Sequence, residues 1–330
     1  MSGGLSCYTG NLVAYLERHE PDPAERVARS IRVAVRTDAP GGGLAISHHA
    51  QPLQRLPDGG GELRYQGAAD RATALREIEA ELDAHQQALV VADSALLPWS
   101  AAPDPDSAPD AAPDADSDAG APHYLLVNDR KSGYWHVIDR FAALLPGGGE
   151  QQPFGGWLTD EEFAWLLRPL DPLPLQQRRR NEHAFGFPVP IPPDGRYQWL
   201  ARVPDQEGPA VLPGQWLTDP SEALDHLGQN VAEELLEDIW AVAQHHIFRY
   251  GHLADDLDGA DEALAAWGEL PRAVRFAHES AKRGRSRDSL LKAAFDRLAR
   301  IEDDLREPLA ARGYGVEHSD QMITSKGEET

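Results

Sequence analysis

The sequence predicts an α+β protein with a mixed N-terminal part and a mostly helical C-terminal region. Two observations predict this. Up to about residue 145, runs with the 3.6-residue helical repeat alternate with short apolar runs bounded by Gly and Pro, which read as strands. From about residue 226 the apolar positions keep only the helical repeat. Leu290, Leu291, Ala294, Phe295, Leu298 and Ile301, for example, form one stripe. With 330 residues, 41% of them hydrophobic, the chain can bury a sizeable core.

The elements follow in order. SCYTGNLVAYLERH reads as a helix because Tyr8, Leu12, Tyr15 and Leu16 share a face, and the Ser6 hydroxyl can cap its first turn. Residues 24–36 read as a second helix, broken by Pro40 and Gly41 to Gly43. Residues 44–53 read as a strand, and 59–67 as a turn with a further short strand. Residues 69–87 form an amphipathic helix with Leu75, Ile78 and Leu82 on one side. Residues 88–100 are a buried strand running into a Pro-Trp turn.

Residues 101–122 contain Pro, Asp, Ala, Ser and Gly and no large apolar residue. They cannot offset the entropy of ordering and read as a disordered insertion ending just before His123. Residues 123–129 and 134–141 read as a β-hairpin around a turn at 130–133. The stretch 142–225 reads as irregular. Within it, Gly-x-Trp-Leu-Thr-Asp occurs twice, at 155–160 and 214–219, each read as a Trp docking ahead of a capped helix. The expected organisation is a catalytic-type domain over 1–145, a Trp- and Pro-rich connecting segment over 146–225, a helical region over 226–313 and a flexible tail over 314–330.

Composition excludes some functions. A net charge of −23 argues against nucleic acid as a partner, because neutralising phosphates requires basic surface. No apolar run is long enough to span a membrane, and no basic segment followed by an apolar one opens the chain. One cysteine cannot form an intrachain disulfide, so the reading is a cytoplasmic protein.

That cysteine, Cys7, sits where a helix begins, so the positive end of the helix dipole favours its thiolate, the nucleophilic form. The competing reading is a small buried packing residue. A thiol nucleophile needs a base and a group that orients the base. His123 opens the first hairpin strand and Asp139 closes the second, so the hairpin can bring them together. His136 differs in parity from Asp139 and is expected to face the other side.

The order Cys7, His123, Asp139 is that of papain-like cysteine enzymes. SCYTGNLVAYL, then Asp93 with Leu97-Pro98-Trp99, then PHYLLVND and YWHVIDRF, resembles the N-terminal domain of the butirosin biosynthesis protein H family. The resemblance covers roughly 1–141 and, more loosely, 230–305. It implies a papain-like cysteine protease-type domain and a cysteine-dependent acyltransferase. Such an enzyme would take an acyl group from a carrier-protein thioester onto Cys7 and pass it to an amine. His123 would be the base and Asp139 the orienting carboxylate. The partners implied are an acyl or peptidyl carrier protein and a small-molecule amine. No cofactor is implied beyond the phosphopantetheine arm that carries the substrate.

The family pattern departs at one place. Papain-like peptidases place a Gln about six residues before the Cys to complete the oxyanion hole, and here that position is Met1. The Cys7 backbone N–H is one candidate donor and Asn11, one turn on, another. Hydrolysis by the same triad, as in a thioesterase, amidase or peptidase, is the enzymatic alternative. A carrier-docking scaffold without turnover is the non-enzymatic one. The pairs His48-His49 and His245-His246 diverge in direction and show no ligand spacing, so no metal is expected. Arg178 to Arg180 and the basic residues in 282–287 read as solvated faces or as contacts for an acidic carrier.

Overall fold

The chain order begins α1 (Cys7–Leu16), α2 (Pro23–Ser30), β1 (Ile31–Arg36), β2 (Ala45–His49), β3 (Glu62–Ala68), α3 (Arg71–His85) and β4 (Ala88–Asp93). It continues β5 (Pro122–Lys131), β6 (Tyr134–Asp139), β7 (Ala143–Leu144), β8 (Glu150–Gln151), β9 (Phe154–Thr159), α4 (Asp160–Leu166) and α5 (Leu175–Glu182). It closes with β10 (Tyr197–Val203), β11 (Trp216–Leu217), α6 (Pro220–Gln229), α7 (Leu236–His252), α8 (Ala260–Lys282) and α9 (Asp288–Ala311). These elements come from a computed structural model that describes residues 4–57, 59–100, 120–144, 150–170, 172–205 and 208–315. Most of the expected disordered insertion, the tail beyond residue 315 and Met1 lie outside the described residues.

The protein mixes helix and sheet as an α+β chain, and it falls into two units that are discontinuous in sequence. The first comprises Met1–Pro23, Gln54–Pro174 and Val189–Gln206; the second comprises Ala24–Leu53, Leu175–Pro188 and Glu207–Thr330. The expected linear division is therefore corrected: 24–53 leaves the N-terminal domain, and parts of 146–225 belong to each unit.

The first unit is built on an antiparallel sheet in the order β3-β10-β4-β5-β6-β9. One face carries Val90, Leu125, Val127 and Trp135, which pack with Ile78 and Leu82 of α3 and Phe163 of α4. The alternate residues Leu89, Val91, Tyr124 and Leu126 are buried as well, as strands covered on both faces require. Helix α1 lies against β4, β5 and β6.

The hairpin turn is Ser132-Gly133, both at positive φ, the geometry of a two-residue turn that follows the strand twist. Near the turn Lys131 faces Tyr134 and Asp129 faces His136; farther along, Val127 faces Val137. Asn128 is thus an extra residue on β5, a β-bulge. Strand β10 corrects the irregular reading of its region. It is central in the sheet, pairing with β3 along its length and with β4 on its other side.

The second unit has a small antiparallel sheet, β11-β1-β2, with α6 and α7 against β1. Here the expected helix over 24–36 is corrected. It stops at Ser30, and Ile31–Arg36 is a strand. The β-branched Ile31, Val33 and Val35 recur at period two, and pairing with β2 and β11 outweighs the local helical repeat. Trp267, Phe295, Leu298, Ile301 and Leu305 lie in this unit's core. Leu290, expected in the apolar stripe, is exposed.

The two Trp-Leu-Thr-Asp copies do precede capped helices. The Thr159 hydroxyl accepts from the Glu162 amide in a full capping box, and Asp219 accepts from the Ser221 and Glu222 amides with Pro220 in the first turn. Docking of the Trp is corrected for the first copy: Trp157 sits on the edge strand β9 and is exposed.

Candidate active site

Cys7 is the first residue of α1. Ser6 caps the helix, its Oγ accepting from the Thr9 amide at 3.4 Å. The half-buried thiol therefore stands in the first turn, beside amides that the helix leaves without an intrahelical acceptor. His123 is the second residue of β5 and Asp139 the last of β6; both are buried. His123 Nε2 meets Asp139 Oδ2 at 2.8 Å. The ring also hydrogen-bonds with the Cys7 thiol. With Nε2 committed to Asp139, that bond falls to Nδ1. The structure thus brings all three residues together in the first unit.

Burial by itself pulls the His123 ring down. The Cys7 sulfur and the Asp139 carboxylate on its two sides outweigh burial and hold it up at about 10. Burial likewise pushes the Asp139 carboxyl up, but His123, the Trp99 indole and the Phe141 amide hold it below its ordinary value. The arrangement is an imidazolium held between a carboxylate and a sulfur.

Asn11 is fully buried and occupied. Its Nδ2 donates to the carbonyls of Cys7 at 3.0 Å and Tyr124 at 2.6 Å, and lies 3.3 Å from Asp139 Oδ1. Its Oδ1 accepts from the Arg140 amide at 3.0 Å. Donation to an oxyanion is therefore corrected, because the amide hydrogens are already committed. Asn11 supports the site instead, joining the Cys7 turn to both strands of the hairpin.

Sequence reasoning missed the other partners of Asp139. Trp99 Nε1 donates to Oδ2 at 2.9 Å, Gln151 Nε2 lies 3.3 Å from Oδ2, and the Phe141 amide donates to Oδ1 at 2.9 Å. The signal available for Trp99 was the Leu-Pro-Trp strand end. Gln151 had none, since it falls in the stretch read as irregular. At the same corner, Ala121, the last residue before β5, exchanges hydrogen bonds with Ser94 at 2.9 Å each way. Only the last three residues of the expected insertion, 120–122, are described, and they are held in place there. His136, as its parity implies, turns away and bonds Asn128 Oδ1 through Nδ1 at 2.6 Å.

The remaining candidates belong to the second unit. His48 stacks on His245 at 4.7 Å and His49 meets the same ring edge-on at 5.1 Å, so three of the four rings meet, while His246 diverges from His245 and stacks on Trp267. All three are buried, and burial lowers each of them, His245 to about 4. Among the described residues, no group of three or more His, Cys, Asp or Glu is arranged to hold a metal ion. Arg179 donates to the Pro40 and Gly42 carbonyls, and Arg180 pairs with Asp238 and Glu237. Neither is a solvated charge awaiting an acidic carrier. Lys282 pairs with Glu233, and Arg287 lies over the Phe276 ring.

Among the described residues, no helix is long and apolar enough to cross a membrane. No protein-family model matches the chain, and no curated protein matches it.

Proposed function

We propose that this protein is a papain-like cysteine acyltransferase. In this reading it takes an acyl group from a carrier-protein thioester onto Cys7 and delivers it to a small-molecule amine. The observation that carries the reading is the continuous set Cys7, His123 and Asp139: a thiol at a helix N-terminus, a base on the thiol, and a buried carboxylate 2.8 Å from the base. The choice of transfer and of a carrier-borne donor rests on the resemblance of residues 1–141.

The chemistry balances as follows. The Cys7 thiolate attacks the thioester carbonyl, the new C–S bond forms, and the bond to the pantetheine sulfur breaks. That sulfur leaves as a thiol with the proton from His123. The amine then attacks the acyl-Cys7 carbonyl and gives its proton to His123, and Cys7 departs as thiolate. In this reading the Cys7 N–H, at the start of α1, is the donor to the carbonyl oxygen's developing charge. Asp139 keeps the ring oriented and its cation stabilised throughout.

Mass spectrometry tests the reading. Incubation with acyl-pantetheine thioesters, free and carrier-bound, is expected to add the acyl mass to the Cys7 peptide, and Cys7→Ala is expected to abolish it. Added amines are expected to discharge the adduct as amide faster than water discharges it as acid. Equal product from wild type and Cys7→Ala sinks the reading. Discharge only to acid assigns the same triad to hydrolysis.

A further inference from the structure

We propose that Trp99 is a positioning residue of this site: its indole N–H holds the Asp139 carboxylate toward His123. The inference rests on the catalytic reading of Cys7, His123 and Asp139.

Three observations carry it. Trp99 Nε1 donates to Asp139 Oδ2 at 2.9 Å, the same oxygen that meets His123 Nε2 at 2.8 Å. That oxygen therefore accepts from two ring N–H groups, and Oδ1 is taken by the Phe141 amide. The Trp99 ring lies flat on Phe154, with centroids 3.9 Å apart and planes 2° apart. Phe154 is in turn the residue of β9 directly opposite Asp139. A strand-end aromatic and a cross-strand aromatic thus form one apolar plate beside the carboxylate, which is fully buried.

The physical consequence concerns charge. A neutral N–H donor stabilises the ionised carboxylate and opposes its protonation, which burial favours. The titratable and charged groups around Asp139 are His123 from β5, Cys7 from α1 and the adjacent Arg140, whose guanidinium is turned to Glu17 at 3.4 Å. Trp99, Gln151 and Asn11 contribute neutral donors. With the Trp99 donor removed, Asp139 takes a proton at higher pH. His123 then loses its partner and Cys7 its imidazolium. The ion pair that supports Cys7 reactivity then fails at higher pH.

Cys7 is the sole cysteine of the chain, so iodoacetamide alkylation reports on it alone. The experiment is the alkylation rate against pH for the full-length protein, Trp99→Phe and His123→Ala, with circular dichroism on each. Trp99→Phe keeps an aromatic ring and removes the donor with the pyrrole half of the indole. A hydrogen bond to a charged group is worth about one pH unit of carboxylate titration, so the acid-side midpoint is expected to move up by about that amount. A merely structural role predicts an unchanged midpoint. Superimposed profiles for wild type and Trp99→Phe overturn the inference, provided His123→Ala suppresses the reactivity.

If wild type and His123→Ala both titrate like a free thiol, at about 8.5, the catalytic reading itself fails. Should Trp99→Phe lose its fold, Trp99→Leu is read in the same way, since it too lacks the indole N–H. A rise in its midpoint supports the inference and an unchanged one overturns it.

Discussion

Asp139 faces His123 because Asn128 is one residue too many. Between the turn and Asp129 the hairpin pairs Lys131 with Tyr134, Arg130 with Trp135 and Asp129 with His136. Continued without a break, that register would set Asp139 opposite Leu126, on the side of the sheet that His123 does not face. Past the bulge, Val127 pairs with Val137 and Leu126 with Ile138. Asp139 then falls opposite Leu125, and His123 becomes its diagonal neighbour on the same face. The 2.8 Å contact between them follows from this one-residue shift.

Asn11→Leu should be among the most damaging single changes in the first unit. It keeps the branched shape but leaves the buried Arg140 amide without its acceptor and takes a donor from the Tyr124 and Cys7 carbonyls. Losing partners for buried polar groups costs about 1–3 kcal/mol each, so a loss of about 3 kcal/mol is expected in urea unfolding. The Cys7 alkylation rate should fall with it. A change below about 0.5 kcal/mol, the usual range for surface substitutions, would contradict the hydrogen-bond assignment.

Glu302→Gln tests a buried ion pair in the second unit. Glu302 accepts from Arg249 at 2.7 Å, Tyr250 at 2.7 Å and Trp267 at 2.9 Å, and both charged residues are buried. Glutamine keeps the shape and leaves the guanidinium uncompensated. The expected loss is about 3–5 kcal/mol, whereas Arg249→Met with Glu302→Leu should lose much less than the two single changes combined. Additive losses would argue that the two charges are not coupled.

Stability of the second unit should fall as pH drops from about 6.5 to about 4. Burial lowers His48, His49, His245 and His246 in the folded state, the last two to about 4. In this window the unfolded chain binds protons that the folded unit does not. The histidine contribution is therefore complete above the unfolded value and lost on descent. Denaturation midpoints measured from pH 7.5 to 4.5 check it, and a flat profile over that span contradicts it.

His123 has the opposite sign. Its folded value of about 10 lies above the unfolded one, so its contribution is complete below about 6.5 and is lost as pH rises through 10. The alkaline loss should be smaller in His123→Gln than in wild type, measured by thermal melting from pH 7 to 10.5. Equal slopes in the two proteins would remove the pairing of this ring with Asp139 and Cys7.

Much of the candidate site was legible in the sequence. Cys7 announces itself as the only thiol, in a capped first helical turn, and His123 and Asp139 bracket a hairpin whose turn residues are Ser132 and Gly133. Asn11 was visible as a neighbour of the site but not as its joint, because its four partners lie on three separated stretches of chain. Strand β1 was hidden under a helical repeat and β10 behind a Pro-rich stretch. Both exist through pairing with strands distant in sequence, which no local window contains.

The sequence by itself determined the chemical inventory and the local periods: one thiol, a helix to present it, a hairpin carrying a base and an acid, and helices toward the C-terminus. Only the tertiary structure decided which faces those residues share, what surrounds Asp139, and that residues 24–53 belong to the second unit. The physical reason is that helix and turn formation rest on neighbours three or four residues away. Facing in a sheet depends on a parity count that one bulged residue inverts, and hydrogen-bond satisfaction of a buried carboxylate depends on whichever segments long-range packing brings to it.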